Sequence, residues 1–416
     1  MKNIFSIRML LLLLLFVPSA LAAQFVESFS HDIRSMTMSL NDEWEKPAIM
    51  MLGGDDVVNF SFDELSHSYH RYTYRVVHCN YDWTPSELLS VDYITGFNDL
   101  PIEDVRYSEN TTTLYTNYSF YIPNEQLSLN LSGNYKVEVY DDESDEDEPV
   151  AVFGFLVVEH KVRMGVDVSG NTDIDYNDKY QQLNIIVDYS GYSVQSPSRD
   201  LKVAVSQNRR TDNEVICAAP TYVTSNRMEF VHDSSLIFKA GNEYRRFEVT
   251  DPYSPGMGVD GISYDGEVYN VALYSDAVVR SYNNTRDENG RYFINTNEGY
   301  GTVAEADYAN VHFQLLAPYR SGGDYYLLGD YWGNGFSYDN MLEYDSVEGV
   351  YRTNQLMKFG VYNYMYVWLP DGSSLADAEP AEGSFYNTEN EYIVKVYHRE
   401  FGSRYDKLVG ALVVKQ

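Results

Sequence analysis

The stretch "RYTYRVVHCNYDWTPSEL" runs from Arg71 to Leu88. Its first nine residues alternate: Tyr72, Tyr74, Val76 and His78 fall on one face, and Arg71, Thr73, Arg75, Val77 and Cys79 on the other. A period of two predicts a β-strand, in which neighbours point to opposite faces. That decides what His78, Cys79 and Asp82 can do. A thiol nucleophile needs its base within hydrogen-bond reach, and a strand holds His78 and Cys79 apart. One Cys and one His also fall short of the three or four ligands zinc requires. Beyond the strand, Thr84-Pro85-Ser86-Glu87 has the form of a capping box, with Trp83 and Leu88 at the two positions of a hydrophobic staple. The expectation is a strand end, a corner bonded by Asp82, and a short capped helical turn.

Similar alternation recurs along the chain. "VVNFSF" (57–62), "TTLYTNYSFYI" (112–122), "YKVEVY" (135–140) and "VAVFGFLVV" (150–158) read as strands of a first block. "LNIIVDYS" (183–190), "LKVAVSQN" (201–208), "RMEFVH" (227–232), "EYRRFEV" (243–249) and "VYNVALY" (268–274) supply a second. "DYANVHFQLL" (307–316), "DYYLLGDY" (324–331), "GVYRTNQLM" (349–357), "GVYNYMYVWL" (360–369) and "EYIVKVYHRE" (391–400) supply a third. In "VYNYMYVW" (361–368) both alternating faces are apolar or aromatic, as expected of a central strand. The chain has 39 Tyr and 27 Gly, a composition suited to half-wet pleated surfaces joined by turns. The fold expected is all-β: three consecutive immunoglobulin-like β-sandwiches, spanning residues 23–159, 160–297 and 298–416.

Residues 1–22 read as a secretory signal peptide, with Lys2 and Arg8, an apolar run from Met9 to Val17, and Ala20-Leu21-Ala22 before the cut. The formal net charge is −32, and loss of Lys2 and Arg8 takes it to −34. Such a field repels phosphate backbones and anionic lipid, so no nucleic acid is expected as a partner. Two cysteines, Cys79 and Cys217, are too few for a disulfide scaffold, and their spacing leaves pairing open.

Chemical motifs are sparse. Seven carboxylates crowd Asp141–Glu148 at an expected hairpin tip; a solvated loop is the bland reading and a calcium loop the sharp one. "DIDYND" (173–178) starts like a calcium loop but has Asp178 where the sharp-turn glycine belongs. G-x-S-x-G, Walker A and H-E-x-x-H are all missing. The expectation is no enzyme, no cofactor, no metal and no small-molecule substrate.

"VVHCNYDWTPSEL" (76–88), "ITGFND" (94–99), "LSGNYKVEVYDD" (131–142), "FLVVEHKV" (155–162), "QNRRTDNEV" (207–215), "AGNEYRRFEV" (240–249) and "EGSFYNTENEYIVKVYHREFGSRYDKLVG" (382–410) follow in the order seen in the type IX secretion system plug family of Bacteroidetes-type bacteria, and the chain resembles that family from about Ile33 to Gly410. The resemblance implies a non-catalytic periplasmic protein, associated with the outer membrane through its partner. It would seal the periplasmic opening of a large outer-membrane β-barrel translocon. The third block also resembles early-set sandwich modules that bind glycogen-like glucans through aromatic platforms, with Trp332 where those modules often carry a tryptophan after the second strand and Trp368 at the end of a strand. That makes an envelope glycan-binding protein the alternative. Tyr331, Trp332 and Phe336 are the expected partner-binding residues, as exposed aromatics at loop tips.

Overall fold

The computed structural model describes residues 25–144, 148–282, 284–296 and 303–416. The expected signal peptide, the middle of the acidic run and the 297/298 boundary lie outside these residues. The described chain is nearly all β. Among the described residues no helix is long and apolar enough to cross a membrane.

Tyr72–Cys79 is a strand, as its alternation predicts. It pairs antiparallel with Gly133–Asp141, which pairs in turn with Ala151–Val158. Val26–Ser28, Ile49–Met51 and Leu100–Pro101 complete this six-stranded sheet. A four-stranded sheet faces it, in the order Ile33–Leu40, Val58–Glu64, Thr116–Ile122, Asp104–Tyr107. Aromatic rings fill the space between: Phe60 meets Phe153 edge-on at 5.3 Å, and Phe62 meets Tyr72 edge-on at 5.4 Å. Ala151–Val158 is buried along its whole length. One face carries Phe153, Phe155 and Val157 into this core, and the other carries Leu156 and Val158 into a second apolar cluster. Burial on both faces is why this strand reads as an unbroken apolar run.

The middle sandwich departs from the expected succession of blocks. One of its sheets is local: Arg163–Ser169, Tyr180–Asp188, Arg227–Phe230 and Tyr222–Val223, with Ile237–Lys239 beside Tyr180–Asp188. In the other, Leu201–Gln207 pairs with Glu391–His398, which pairs with Lys407–Lys415. The C-terminal strands, expected in the third block, thus close the middle core, where Val203 and Val205 pack with Tyr392, Val394 and Val396. Conversely, Arg245–Val249 and Tyr269–Leu273, expected in the second block, join the third sheet system beside Gly360–Pro370 and Tyr308–Leu316. Alternation marks a strand but carries no information about its partner. Strand pairing thus crosses the 297/298 boundary drawn from linear blocks.

Gly360–Pro370 is the expected central strand. Tyr362, Tyr364, Tyr366 and Trp368 face one core, and Met365 and Val367 face a second cluster with Tyr244 and Leu328.

The sandwiches are welded by buried polar contacts. Asp63 of the first meets Lys358 of the third at 2.6 Å, and the Tyr308 hydroxyl donates to the same carboxylate at 2.7 Å. The Asp307 carboxylate accepts from the backbone N–H of Thr112 and Thr113. Arg209 of the middle sandwich pairs with Asp330 of the third at 3.0 Å and with Glu391 at 2.8 Å, and Arg291 also reaches Glu391 at 2.8 Å. Burial works to raise the Glu391 carboxyl, but the two guanidinium groups outweigh it and hold the group below the usual range.

Candidate partner-binding cleft

The corner after Tyr72–Cys79 is tight. Asn80 accepts from Trp83 N–H at 3.0 Å and its own N–H donates to the Thr84 carbonyl at 2.8 Å. Asp82 accepts from the Thr84 N–H at 3.1 Å, the expected corner bond. No capped helical turn follows, which corrects the capping-box reading. Ser86 N–H donates to the His78 carbonyl, and Glu87 N–H to the carbonyl of Arg404. Tertiary partners thus take the groups a helix would have used. The helical turn comes later, at Ser90–Tyr93, where Leu89 N–H donates to Asp92.

Trp83 is no helix staple. Its backbone φ is 60°, and its indole is 3% exposed. It packs edge-on against Phe25 at 5.2 Å and joins Leu156 and Val158 of the first sandwich to Ala204, Tyr397 and Leu408 of the middle one. The Tyr397 hydroxyl donates to Asn134 Oδ1 across the same junction at 2.8 Å.

His78 and Cys79 are both buried, and neither serves the other. His78 Nε2 donates to the Ser132 carbonyl at 3.1 Å, and Nδ1 lies 3.0 Å from the Ser86 hydroxyl. Burial pushes the ring down to about 4, so it is neutral at pH 7. Burial pushes the Cys79 thiol up to about 12. A thiol held protonated in apolar surroundings is a poor nucleophile. Cys217, likewise free and buried, is also pushed up to about 12.

The corner forms one wall of a cleft of about 840 Å³. Trp83, Thr84, Pro85 and Lys136 line it from the first sandwich, and Tyr331, Trp332 and Phe336 from the third. Phe25 and Val26 line both this cleft and an adjoining cavity of about 310 Å³. Gly333, at φ +60°, packs on Val26 so closely that a Cβ would sit 1.9 Å from its carbonyl oxygen. The cleft thus depends on a glycine in the turn that presents Tyr331 and Trp332.

The structure brings the three expected aromatics together but does not leave them exposed, as loop tips would. All three are half-buried. The Tyr331 hydroxyl donates to the Leu356 carbonyl at 2.8 Å, Trp332 Nε1 donates to Gln355 Oε1 at 3.0 Å, and Phe336 meets Tyr326 edge-on at 5.4 Å. Asp330, paired with Arg209, anchors their turn to the middle sandwich. Trp332 therefore presents no free platform. Trp368 is 2% exposed, with Arg320 over its ring at 4.8 Å. The fully displayed aromatic near this rim is Tyr338, at 89%, which the sequence reading missed. Ser337 caps its turn by accepting from Asp339 N–H, and a Ser two residues before an Asp is the local signal.

Of the acidic run, Asp142 pairs with Arg71 at 3.0 Å. In "DIDYND", Asp173 is engaged by Gln182 and His232, and Asp175 by Thr172. Among the described residues no three His, Cys, Asp or Glu side chains form a group that could hold a metal ion.

Residues 33–159 match the family model for the first domain of the type 9 secretion system plug protein. The crystal structure of a hypothetical protein from Parabacteroides merdae is 36% identical, with a TM-score of 0.92 over 95% of this chain and 100% of that one. Dimeric latent PorU from Porphyromonas gingivalis aligns at 9% identity with a TM-score of 0.14 over 95% of this chain and 34% of that one, too little for a shared fold. No curated protein matches the chain.

Proposed function

The chain belongs to the type 9 secretion system plug protein family, and from that premise we propose that it is a non-catalytic periplasmic plug. It binds the periplasmic opening of a large outer-membrane β-barrel translocon and seals it until cargo arrives. The family match over residues 33–159 carries this reading. A wide barrel encloses an aqueous lumen that leaks solutes when open. A stopper for it must be broad and must not deform. Three cores joined by fully buried ion pairs such as Asp63–Lys358 suit that task. The neutral, buried thiol of Cys79 offers nothing to an enzyme reading.

The cleft rim is the contact surface in this proposal, with Tyr331, Trp332 and Phe336 as half-buried anchors. Aromatic anchors already held in place, Tyr331 and Trp332 by hydrogen bonds and Phe336 by the Tyr326 ring, lose little entropy on binding. With a net charge of −34 once Lys2 and Arg8 are lost, the plug requires a neutral or basic seat, and salt weakens the docking to the extent that charge steers it.

The test is affinity purification of the tagged protein from outer-membrane extracts, with and without secretion cargo. A large β-barrel protein co-purifying in near-equal amount, and released when cargo complexes are present, is the expected result. Recovery of no such protein overturns the proposal.

A further inference from the structure

Val259–Tyr264 is the last strand of the ten-stranded sheet. It pairs with Tyr269–Leu273 on one side, and among the described residues no strand pairs with the other. Its beginning is covered: Glu248 N–H donates to the Met257 carbonyl at 2.9 Å, and Gly256 and Gly258 pack on the backbone of Glu248 and Arg246. The register shifts between Val259 and Gly261. Past that shift, among the described residues, no backbone hydrogen bond reaches the outer edge from Gly261 to Tyr264.

Natural edges are commonly blunted by lysine or proline. No Lys or Arg occurs from Phe247 to Val279, and past Pro252 and Pro255 no Pro occurs from Gly256 to Val279. Asp251, Asp260, Asp265 and Glu267 lie on or flank the edge strand, and among the described residues none of the four is in an ion pair. Asp265 accepts from Glu267 and Val268 N–H and from Asn270 in its own turn, and Asp251 accepts from Tyr253 N–H, so Asp260 and Glu267 are the least engaged. Aromatic surface lies beside them. Tyr264 and Tyr269 stand with ring centroids 5.1 Å apart, Tyr264 is 52% exposed, and Tyr253 is 87% exposed. Open backbone, carboxylates without a counter-charge and displayed tyrosines therefore occur on one short segment, and no residue of it lines the cleft.

We propose that this edge receives an extended, lysine- or arginine-bearing segment of another protein as an added β-strand. The main chain supplies the hydrogen bonds, the carboxylates select basic side chains, and the tyrosines pack against their aliphatic stems. A second copy of this chain is disfavoured, because its matching edge would set four carboxylates against four. The inference does not depend on the plug reading, since the edge can take such a segment whatever the cleft binds.

The full chain is titrated by fluorescence anisotropy with a labelled peptide of alternating Lys and Val. A second peptide of the same sequence and charge carries N-methyl groups on alternate amides, so it attracts the protein but cannot extend a sheet. The unmethylated peptide should bind about tenfold more tightly and slow hydrogen exchange at Gly261–Tyr264. The Asp260→Lys/Glu267→Lys variant should lose about tenfold in affinity, with its far-ultraviolet circular dichroism unchanged. Equal binding of the two peptides, no binding of either, or binding without protection at Gly261–Tyr264 overturns the proposal.

Discussion

Lys358 Nζ lies 2.6 Å from Asp63 Oδ2, and neither side chain is exposed. The pair joins the first sandwich to the third, and the ammonium also sits 4.0 Å above the Tyr115 ring. Burial lowers the Lys358 ammonium, with Asp63 opposing the shift. Lys358→Met leaves a buried carboxylate without its counter-charge and should cost about 3–5 kcal/mol in urea unfolding. Asp63→Asn/Lys358→Met should recover much of that loss. A double variant as unstable as the sum of the two singles would show that the residues do not interact.

Trp83 should matter through shape alone. It is buried between two sandwiches, yet its Nε1 has no hydrogen-bond partner. Trp83→Ala should cost about 3–5 kcal/mol, whereas Trp83→Phe should cost less than half as much. Thermal unfolding of both variants checks this, and equal losses would point to a hidden polar role.

Gly333 tests the cleft. A Cβ there would lie 1.9 Å from the Val26 carbonyl oxygen, at a φ of +60° that side chains rarely adopt. Gly333→Ala should cost about 1–3 kcal/mol and speed hydrogen exchange at Val26–Ser28. Unchanged exchange in that strand would contradict the contact.

His78 gives the fold an acid sensitivity. Its folded-state value is about 4, against an ordinary 6.5. The unfolded chain therefore binds a proton that the folded chain refuses. The contribution is fully present above pH 6.5, is lost as pH falls towards 4, and amounts to about 3 kcal/mol at most. A pH series of urea midpoints should show the slope, and His78→Gln should flatten it.

Asp287 acts with the opposite sign. Burial raises it to about 7 from 3.8, although it accepts hydrogen bonds from the backbone N–H of Tyr244 and Asn289. The folded chain prefers the neutral acid, so this contribution is present below about pH 4 and is lost as pH rises to 7. Asp287→Asn should raise stability at pH 7 relative to pH 5. An unchanged difference between the two pH values would show that Asp287 is not responsible.

Much of the candidate site was partly legible. Tyr331, Trp332 and Phe336 stood out as exposed aromatics at loop tips, and the structure places all three on one cleft wall. Their half-burial was not legible, because Gln355 and Leu356, which bond Trp332 and Tyr331, lie more than twenty residues away. The capping box at Thr84–Glu87 matched a local pattern that a distant carbonyl, that of Arg404, overrode.

The all-β class, the strand at Tyr72–Cys79 and the separation of His78 from Cys79 could be read from the residues alone. Each of these follows from a period of two, which is a property of the local backbone. Long-range packing instead makes Glu391–His398 close the core begun by Leu201–Gln207, makes Trp83 join two sandwiches, and brings Lys358 to Asp63. Strand partners and buried counter-ions are chosen by complementarity across long loops, and no local pattern records that choice.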